Sequence, residues 1–463
     1  MAGATVRAGS VPAHPLAAAD FERLAGYPFV VVSWIDDAGY PLSVATEFET
    51  DADGGLVRLR APAGDGLAIP TDREVNLIGS HIRPKPGEGY DERRYLELWG
   101  TVGAPTGGRV TFSPFRAWGW DEAEVPFFEY SERSVPQSRR YLARLSAERG
   151  RIIRPRLSPF WLTVRTTRLP FLSATAIPVL LGIAIAASHG SFTWWTALIT
   201  LLGASLAHLA ANVTNDVFDT RSGADEANVN PTQYSGGSRV AIYDLLTVRQ
   251  LAILAAALFA AAATIGLLLV WVTGSLTLLG IGLAGILIGI AYTAPPLKLV
   301  YRGLGEIAVA VAFGPILVLG AYVVQAGRLS AEAVLVSLPM GILVALILYV
   351  NEIPDRFADA SVGKRTLPAR LAPEMVRQGY LVAALAAFAV IVAGAVGGLL
   401  PWPTLIALAA VPLALRVYSG TGLHYDSPYM LMAVMGTNIK LHLAVGGLLL
   451  SAYLVTILVA LLG

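Results

Sequence analysis

The chain shows two patterns of hydrophobic and polar positions, and the change between them falls near residue 156. After that point, long apolar stretches alternate with short polar loops. A helix needs about 20 consecutive apolar residues to cross a bilayer, so residues 161–463 are predicted to form an all-α, polytopic membrane domain of nine transmembrane helices. The predicted spans lie near residues 169–187, 195–216, 251–272, 275–293, 305–325, 332–350, 379–398, 402–418 and 441–462.

Residues 1–133 show short β-rich runs that are bounded by Gly, Pro and Asp turns, as is typical of strands and hairpins. The runs are FVVVSWID (29–36), PLSVATEFE (41–49), LVRLRAP (56–62), EVNLIGSHIR (74–83), YLELWGTVG (95–103) and RVTFSPFRAWGW (109–120). Six short strands within about 90 residues predict a small, closed, soluble β-barrel. Residues 134–160 between the two domains are rich in Arg, and predict either an interfacial helix on anionic headgroups or an exposed linker.

Lys and Arg residues are distributed very unequally between the two ends of the predicted spans. One end receives a long series of basic residues, from Arg221 to Lys440, and the other receives Arg328 alone. The positive-inside rule then predicts an integral protein of the cell (plasma) membrane, with the N-terminal domain and the polar loops in the cytoplasm and Gly463 outside. The net charge of +1 gives no indication of nucleic-acid binding, and the absence of cysteine excludes disulfides and Cys-ligated metals.

Two Asn-x-x-x-Asp patterns lie where a long apolar run gives way to a polar loop. Residues three or four apart share one face of a helix, so each pattern predicts a stripe of oxygen-bearing side chains. The stripes are Asn212, Asn215, Asp216 and Asp219 in the first copy, and Asn351, Asp355 and Asp359 in the second. A single Asp pair at a helix end is usually a cap. Two matching copies on one side of the membrane instead favour Mg²⁺ ions that hold a diphosphate.

Four segments carry a resemblance to a known family. They are NDVFDTRSGAD (215–225), YTAPPLKLVYRGLGE (292–306), FGPILVLGAYVVQ (313–325) and NEIPDRFADASVGKRTL (351–367). In this order they resemble the UbiA superfamily of intramembrane prenyltransferases, over about residues 160–463. The third segment, GGSR at 236–239 and GKRTL at 363–367 are most similar to the 1,4-dihydroxy-2-naphthoate prenyltransferases of menaquinone synthesis, although Glu352 stands where Asn is more usual.

The resemblance implies Mg²⁺-dependent transfer of a prenyl group from a prenyl diphosphate to an aromatic acceptor, with 1,4-dihydroxy-2-naphthoate as the expected acceptor. 4-Hydroxybenzoate and a glycerol-phosphate lipid remain alternative acceptors. Two ions are expected, one for each cluster of oxygen-bearing side chains. The few carboxylates in each cluster are enough, because Mg²⁺ completes its shell with phosphate oxygens and water. The expected metal residues are Asn215, Asp216, Asp219 and Asp225 for one ion, and Asp355 and Asp359 for the other.

Other side chains near the clusters complete the candidate site. The expected catalytic residues are Asp219, Asp355, Asp359, Lys364 and Lys298. The basic candidates for the diphosphate oxygens, with the two lysines preferred, are Lys298, Lys364, Arg239, Arg302 and Arg365. The remaining substrate-binding candidates are Asn212, Asn215 and Asn351, together with Tyr292 and Tyr301, whose rings are suited to stabilising an allylic cation or orienting the acceptor.

Several of these residues have a simpler interpretation. Lys298 and Arg302 are equally consistent with topology determinants. Asn438 and His442, which lie four residues apart, predict either the lining of the acceptor site or a helix–helix hydrogen bond. His208 is predicted to be a packed polar contact.

The order of strands in residues 1–133 resembles the FMN-binding split barrel of the pyridoxamine-phosphate-oxidase-like group. Residues 61–73, however, lack the Ser, Lys and Arg cluster expected around a flavin phosphate. A cofactor-free structural or regulatory barrel is therefore slightly favoured over one that binds FMN. The alternative function class is a flavin-dependent prenyl-quinone oxidoreductase. A transporter is disfavoured, because the acidic residues lie at one face of the membrane and the spans show no inverted repeat.

Overall fold

The computed structural model describes residues 14–62, 67–86 and 89–462, and the chain divides into two compact units, Met1–Tyr141 and Leu142–Gly463. The division falls inside the Arg-rich segment predicted at 134–160, and the detailed domain bounds stay a prediction. The predicted location of Gly463 lies outside the described residues. Each unit has its own hydrophobic core.

The N-terminal unit is an antiparallel β half-barrel. Its strands are β1 (His14–Pro15), β2 (Val30–Ile35), β3 (Pro41–Thr46), β4 (Phe48–Asp51), β5 (Leu56–Arg60), β6 (Val75–Lys85), β7 (Gly89–Val102) and β8 (Arg109–Asp121), accompanied by helices α1 (Ala18–Ala25) and α2 (Phe127–Arg133). The sheet order is β3-β2-β6-β7-β8-β5-β4, and β1 pairs with β8. Each predicted run contains a strand, and the run at 41–49 contains two.

The sheet curls because its two end strands are consecutive along the chain. Only Glu47 separates β3 from β4, so the chain passes there from one end of the sheet order to the other. The Thr46 hydroxyl donates to the Arg60 carbonyl at 2.7 Å, and the Arg60 N–H donates to the Glu47 carbonyl at 3.0 Å. Alternating residues of the strands point inward, and Val32 and Leu77 are among those that are fully buried.

The second unit is helical. Its helices are α3 (Val135–Glu148, which begins before the unit boundary), α4 (Pro159–Thr167), α5 (Ser173–Ser188), α6 (Trp194–Ser222), α7 (Ala224–Ala227), α8 (Val248–Thr273), α9 (Leu276–Ala291), α10 (Gly305–Val311), α11 (Leu317–Ala326), α12 (Ala331–Ser361), α13 (Leu367–Arg370), α14 (Pro373–Val396), α15 (Val411–His424) and α16 (Pro428–Leu462). Short 3₁₀ segments precede α5, α10 and α15, and the π-helical turn Ala312–Ile316 joins α10 to α11.

Eight helices in the described part of the chain are long and apolar enough to cross a membrane, so the predicted count of nine is not confirmed. The remaining predicted span, 275–293, corresponds to α9, which has 16 residues. A helix of that length spans about 24 Å, whereas the hydrocarbon core of a bilayer is about 30 Å thick. The predicted span is longer than the helix because it includes one residue before the helix and two residues after it.

Several of the spanning helices extend beyond their predicted bounds on the same side of the unit, among them α6, α12 and α16. Helix α6 continues past residue 216 to Ser222, α12 continues past residue 350 to Ser361, and α16 begins at Pro428 instead of 441. Hydropathy marks the end of a span at the first polar residues. These polar side chains stay helical because they face other protein segments instead of lipid.

Close backbone contact sets the position of α12 against α10 and the following π-helical turn. A Cβ atom on Gly314 would lie 2.4 Å from the Ser337 carbonyl oxygen, and one on Gly341 would lie 2.2 Å from the Ala310 carbonyl oxygen. Only glycine fits at both positions. The contact holds α12 close to α10 at the level where its next turns carry the Asn/Asp stripe.

The helix ends that lie away from the Asn/Asp stripes carry a polar network and exposed tryptophans. His189 contacts the hydroxyl of Tyr322 and a carboxylate oxygen of Glu332, each at 2.8 Å, and Tyr453 donates to the other oxygen at 2.7 Å. The network joins α5, α11, α12 and α16. Nearby helix ends expose three tryptophan side chains, as is typical of a membrane–water interface. They are Trp194, Trp271 and Trp402.

The unequal distribution of basic residues generates a topological prediction. The chain contains no cysteine, so single cysteines can be introduced at two similarly exposed positions, Leu329 (55%) beside α12 and Met375 (58%) in α14. We expect an impermeant maleimide added to intact cells to label Leu329→Cys and not Met375→Cys, because the end of the helices that bears the basic residues is expected to face the cytoplasm. The reverse labelling pattern would show that the orientation is inverted; permeabilised cells, in which both should react, are the control.

Candidate active site

The C-terminal halves of α6 and α12 line one cavity of about 280 Å³. Both helices run toward the same side of the unit, so their polar turns lie at the same end. The predicted residues that the structure brings together around this cavity are Asn212, Asn215, Asp219, Asp225, Tyr292, Asn351, Asp355, Asp359 and Lys364. The two stripes therefore face a shared space.

The cavity has a polar end and an apolar end. Deeper in the helices, its walls are small or branched apolar side chains and ring edges, among them Ala204, Ile288, Phe313, Ile316 and Leu348. The polar end contains the carboxylates. This division along one cavity suits an amphipathic ligand with a charged head and a hydrocarbon tail.

Lys364 joins the two stripes at the polar end. Its Nζ lies 3.2 Å from Asp219 Oδ2 and 3.4 Å from Asp359 Oδ1. Gly363, which adopts a positive φ of 77°, turns the chain back after α12, and the Lys364 N–H donates to the Asp359 carbonyl. Burial alone would lower the pKa of the Lys364 ammonium, but the adjacent carboxylates more than offset burial and raise its pKa well above the ordinary value.

The Asp219 carboxylate accepts hydrogen bonds from two further side chains. Asn215 donates to its Oδ2 at 3.0 Å, and the Tyr301 hydroxyl donates to its Oδ1 at 3.0 Å. Ser222 contacts the same Tyr301 hydroxyl at 2.6 Å. Tyr301, predicted to stabilise a cation, does not line the cavity; its observed contact positions Asp219 instead.

Asp355 accepts hydrogen bonds from the loop between α7 and α8. The Asn228 side chain donates to Oδ1 at 2.8 Å, and the Gly236 N–H donates to Oδ2 at 2.9 Å. Gly236 and Gly237 both have positive φ, and a Cβ on Gly237 would lie 2.8 Å from an oxygen of Asp225. The GGSR sequence therefore lets the backbone approach both carboxylates closely.

Arg168 is a site residue that sequence reasoning missed. It ends α4 in the left-handed conformation, and its Nη2 lies 2.5 Å from Asp216 Oδ1 and 3.3 Å from Asn215 Oδ1. Asp216 also accepts the Ser238 N–H and does not line the cavity. Asp216 was predicted to be a metal ligand, whereas the structure places it in an ion pair with Arg168, away from the cavity lining. In the sequence, Arg168 resembles an ordinary basic flank of the first span.

Four predicted basic residues lie outside the cavity lining. The Lys298 ammonium lies 5.1 Å from the ring centre of Tyr301, and Arg302 donates to the Pro296 carbonyl. Arg239 donates to the main-chain carbonyl of Asp225, and the Arg365 N–H donates to the Tyr301 carbonyl. Their prediction relied on proximity in sequence, whereas the side chains of Arg302 and Arg239 turn to backbone carbonyls and that of Lys298 to a ring face.

Of the remaining polar candidates, only one lies on the cavity wall. Asn438 accepts from Tyr380 at 3.0 Å and donates to the Leu346 carbonyl at 2.7 Å, which is the helix–helix alternative. His442 contacts the Ser173 carbonyl at 3.5 Å, and neither it nor Asn438 lines the cavity. His208 contacts Thr175 at 2.8 Å and lies on the cavity wall.

The charges around the cavity do not balance within the described residues. Five carboxylates line it, whereas its basic residues are Arg168 and Lys364. The carboxylates are Asp219, Asp225, Glu352, Asp355 and Asp359. Burial, followed by the nearby Asp216 and Asp219 carboxylates, raises the pKa of Asp225 to about 8. An added cation would relieve this excess of negative charge.

The donor set fits a hard divalent cation. Asn351 Oδ1 and Asp359 Oδ2 are buried oxygens without a hydrogen-bond partner in the described part of the chain. Within those same residues, no group of three or more His, Cys, Asp or Glu is close enough to hold a metal by itself. Sparse oxygen ligands suit Mg²⁺, which takes a few carboxylates and completes its octahedron with water or phosphate oxygens.

Comparison with known proteins decides the family. The model of the UbiA prenyltransferase family matches residues 175–428, which is more than half of the chain. The chain belongs to the UbiA prenyltransferase family. It is similar to the 2-carboxy-1,4-naphthoquinone phytyltransferase of Synechocystis sp., with 26% identity over 303 residues, covering 65% of this chain and 94% of that protein.

Other relatives agree with this placement. The 1,4-dihydroxy-2-naphthoate octaprenyltransferase of Mycobacterium tuberculosis is 34% identical over 253 residues, covering 53% of this chain and 82% of that protein. A solved UbiA homologue from Archaeoglobus fulgidus bound to DMAPP and Mg²⁺ aligns with 16% identity and a TM-score of 0.46, covering 62% of this chain and 99% of that one; ligand positions do not transfer at that similarity. The prediction of a UbiA-type prenyltransferase, similar to the naphthoate enzymes, is confirmed.

The charge imbalance predicts how stability depends on pH and Mg²⁺. The pKa of Asp225 in the folded protein, about 8, lies above its unfolded value of 3.8. Between about pH 4 and pH 8 the folded protein therefore keeps a proton that the unfolded chain has already released. Without divalent cations, stability should fall as pH rises through that window. We expect Mg²⁺ to raise the thermal unfolding temperature in detergent more at pH 8 than at pH 6.

Matched variants test the source of this effect. Asp225→Asn should flatten the pH dependence, while Glu226→Gln, which changes the exposed neighbouring carboxylate, should not. An equal Mg²⁺ effect at both pH values in the unmodified protein would contradict the assignment of the cation to this cluster.

Proposed function

We propose that this UbiA-family prenyltransferase transfers a prenyl group from a prenyl diphosphate to an aromatic acceptor of the dihydroxynaphthoate type, with two Mg²⁺ ions. The acceptor class is supported by the relatives, which are named as naphthoate or naphthoquinone prenyl- or phytyltransferases. 4-Hydroxybenzoate-type and glycerol-phosphate acceptors remain the alternatives. The proposed site lies on the cytoplasmic side of the cell membrane, where the basic loops are concentrated.

One observation carries the proposal: a cavity with five carboxylates at one end continues into an apolar space between membrane helices. The apolar end fits the hydrocarbon of a prenyl chain. A diphosphate head would be repelled by the carboxylates alone. Divalent cations between the two sets of negative groups make the arrangement favourable, which is why carboxylates occur at a site for a polyanion.

Specific residues would hold the ions. Asn215, Asp219 and Asp225 form one proposed ligand set, and Asp355 and Asp359 form the other. The hydrogen bonds from Asn228 and Gly236 orient Asp355, as groups behind a metal ligand commonly do. When bound, Mg²⁺ would supply electrostatic stabilisation of the departing diphosphate.

The chain's own groups would complete the reaction. Lys364 and Arg168 are the cavity-lining cations, and we assign them to the diphosphate oxygens, where they stabilise charge as the C–O bond breaks. Tyr292 also lines the cavity, and its ring is suited to stabilising the allylic cation. The apolar walls exclude water, which would otherwise capture the cation and release a prenyl alcohol.

The half-barrel is assigned a separate role. It lies outside residues 175–428, which the family model matches, and we propose that it stabilises or regulates the transferase without performing redox chemistry. The motivation is the composition of residues 61–73. Residues 63–66 of that segment lie outside the described residues. Among the others, Arg73 forms ion pairs with Asp37 and Asp72, so its positive charge is already neutralised by protein carboxylates.

The first functional prediction concerns the two carboxylate stripes. Asp219→Ala and Asp355→Ala should each lower prenyl transfer by at least about 100-fold, because each removes a proposed ligand and a group that organises Lys364 or the α7–α8 loop. The assay is product formation from radiolabelled prenyl diphosphates, a panel of aromatic acceptors and Mg²⁺. EDTA should stop the reaction, and Mg²⁺ should restore it.

Glu374→Ala provides the control for these variants. It removes an exposed carboxylate on α14 that does not line the cavity, so its activity should match that of the unmodified protein. Near-normal transfer by either aspartate variant at saturating donor would show that the two-ion assignment is wrong.

A second functional prediction concerns the half-barrel. The purified full-length protein should show no flavin absorbance band, and a chain that begins at Ser158 should retain Mg²⁺-dependent transfer in detergent. Stoichiometric FMN in the purified protein would overturn the cofactor-free role and support a flavin-dependent oxidoreductase. Loss of all transfer in a well-folded truncated chain would show that the half-barrel contributes to the active site.

A further inference from the structure

Glu352 is a buried carboxyl group on the cavity wall to which the proposed mechanism assigns no role. The residue is 5% exposed, and no N–H or O–H donor among the described residues reaches either of its side-chain oxygens, although the carboxyl group of Glu306 lies within hydrogen-bonding reach. A buried acceptor that remains unpaired is costly. Its position on the cavity lining therefore points to a donor that is supplied by a ligand.

The charged groups around Glu352 do not satisfy it. Its charged neighbours are Glu306 on α10, Lys364, and Asp359 on its own helix, α12. Tyr292 also lies on the cavity wall beside it. Two carboxylates are both acceptors, so Glu306 can satisfy at most one Glu352 oxygen, through a shared proton. Glu306 itself accepts the Leu367 N–H and does not line the cavity.

Helical spacing places Glu352 at the boundary between the two ends of the cavity. On α12, Leu348 lies one turn deeper, in the apolar part, and Asp355 lies about 4.5 Å along the axis in the other direction, in the polar part. The atom that joins the diphosphate to the hydrocarbon of a prenyl donor belongs at this same boundary. A group at this level therefore faces the reacting carbon and the acceptor that approaches it.

The chemistry of the reactants identifies the missing donor. A prenyl diphosphate has oxygen acceptors at its head and no hydrogen-bond donor in its tail, so it cannot satisfy Glu352. A hydroxylated aromatic acceptor carries O–H donors. We propose that Glu352 binds the acceptor by accepting a hydrogen bond from its ring hydroxyl, and so selects acceptors with a hydroxyl group beside the carbon to be prenylated.

This inference rests on the proposed function, and the hydrogen bond fits a balanced reaction. The prenyl C–O bond breaks, and both of its electrons leave with the diphosphate. A π-electron pair of the aromatic ring forms the new C–C bond, after which the ring loses H⁺ to the released diphosphate, or loses CO₂ from a carboxylated position. The hydroxyl held by Glu352 donates electron density to the ring, and its orientation presents the adjacent carbon to the cation.

The test compares three proteins with two acceptors. Glu352→Leu should lower kcat/KM for 1,4-dihydroxy-2-naphthoate by about 10- to 100-fold, as expected for the loss of a hydrogen bond to a charged or buried group. Glu352→Gln retains an acceptor oxygen and should recover part of that loss. KM for the prenyl diphosphate and the Mg²⁺ concentration for half-maximal rate should not change in either variant.

A methyl ether of the acceptor isolates the proposed contact. Masking the ring hydroxyls should reduce kcat/KM strongly in the unmodified protein and much less in Glu352→Leu, because the partner is already missing. Glu374→Leu, at an exposed position on α14, is the control and should behave as the unmodified protein does. Thermal unfolding of each variant checks that it is folded at the assay temperature, since Glu352→Leu also removes the carboxyl neighbour of the buried Glu306.

The outcomes separate the two hypotheses. If the unmodified protein prenylates no hydroxylated aromatic acceptor, the proposed function fails. If it does, but Glu352→Leu retains full activity or loses equally on both acceptors, the acceptor contact is wrong. A changed Mg²⁺ requirement or donor KM would also overturn the inference, because it would assign Glu352 to the metal or diphosphate site.

Discussion

The site of this protein is governed by the cost of placing carboxylates inside apolar helices. Such groups are stable only when cations or hydrogen-bond donors surround them. Asp219 is held by Lys364 from the loop after α12 and by Tyr301 from the 3₁₀ turn before α10, and Asp355 is held by the loop between α7 and α8. The helices that carry the carboxylates are therefore tied to several loops through the same contacts that make those charges tolerable.

The partial compensation has a functional consequence. Arg168 and Lys364 offset only part of the charge of the five carboxylates on the cavity wall, so the site favours cations, and through them a polyanion. The apolar end of the cavity instead favours a hydrocarbon chain. Under the proposed function, one cavity would distinguish a phosphorylated lipid precursor from both a simple lipid and a simple phosphate, because neither satisfies both ends.

The amino-acid sequence by itself determined the broad organisation. Apolar runs of spanning length indicated a helical membrane unit, alternating β-rich runs indicated a separate sheet, and the paired Asn/Asp spacing identified α6 and α12 as the helices that carry the site. These features are local: a helix places residues four apart on one face whatever surrounds it. The same locality explains the errors at helix ends, where polar residues in α6 and α12 looked like loops because hydropathy cannot show what a side chain faces.

Tertiary structure alone decided which charges meet. Arg168 comes from the segment before the first span yet contacts Asn215 and Asp216, whereas Arg302, in a conspicuous basic motif, turns to a backbone carbonyl. The lack of an N–H or O–H donor for Glu352 is likewise invisible in sequence, since it depends on which groups α10 and the neighbouring loops place around it. Side-chain pairing over long sequence separations is a property of packing, and no local pattern encodes it.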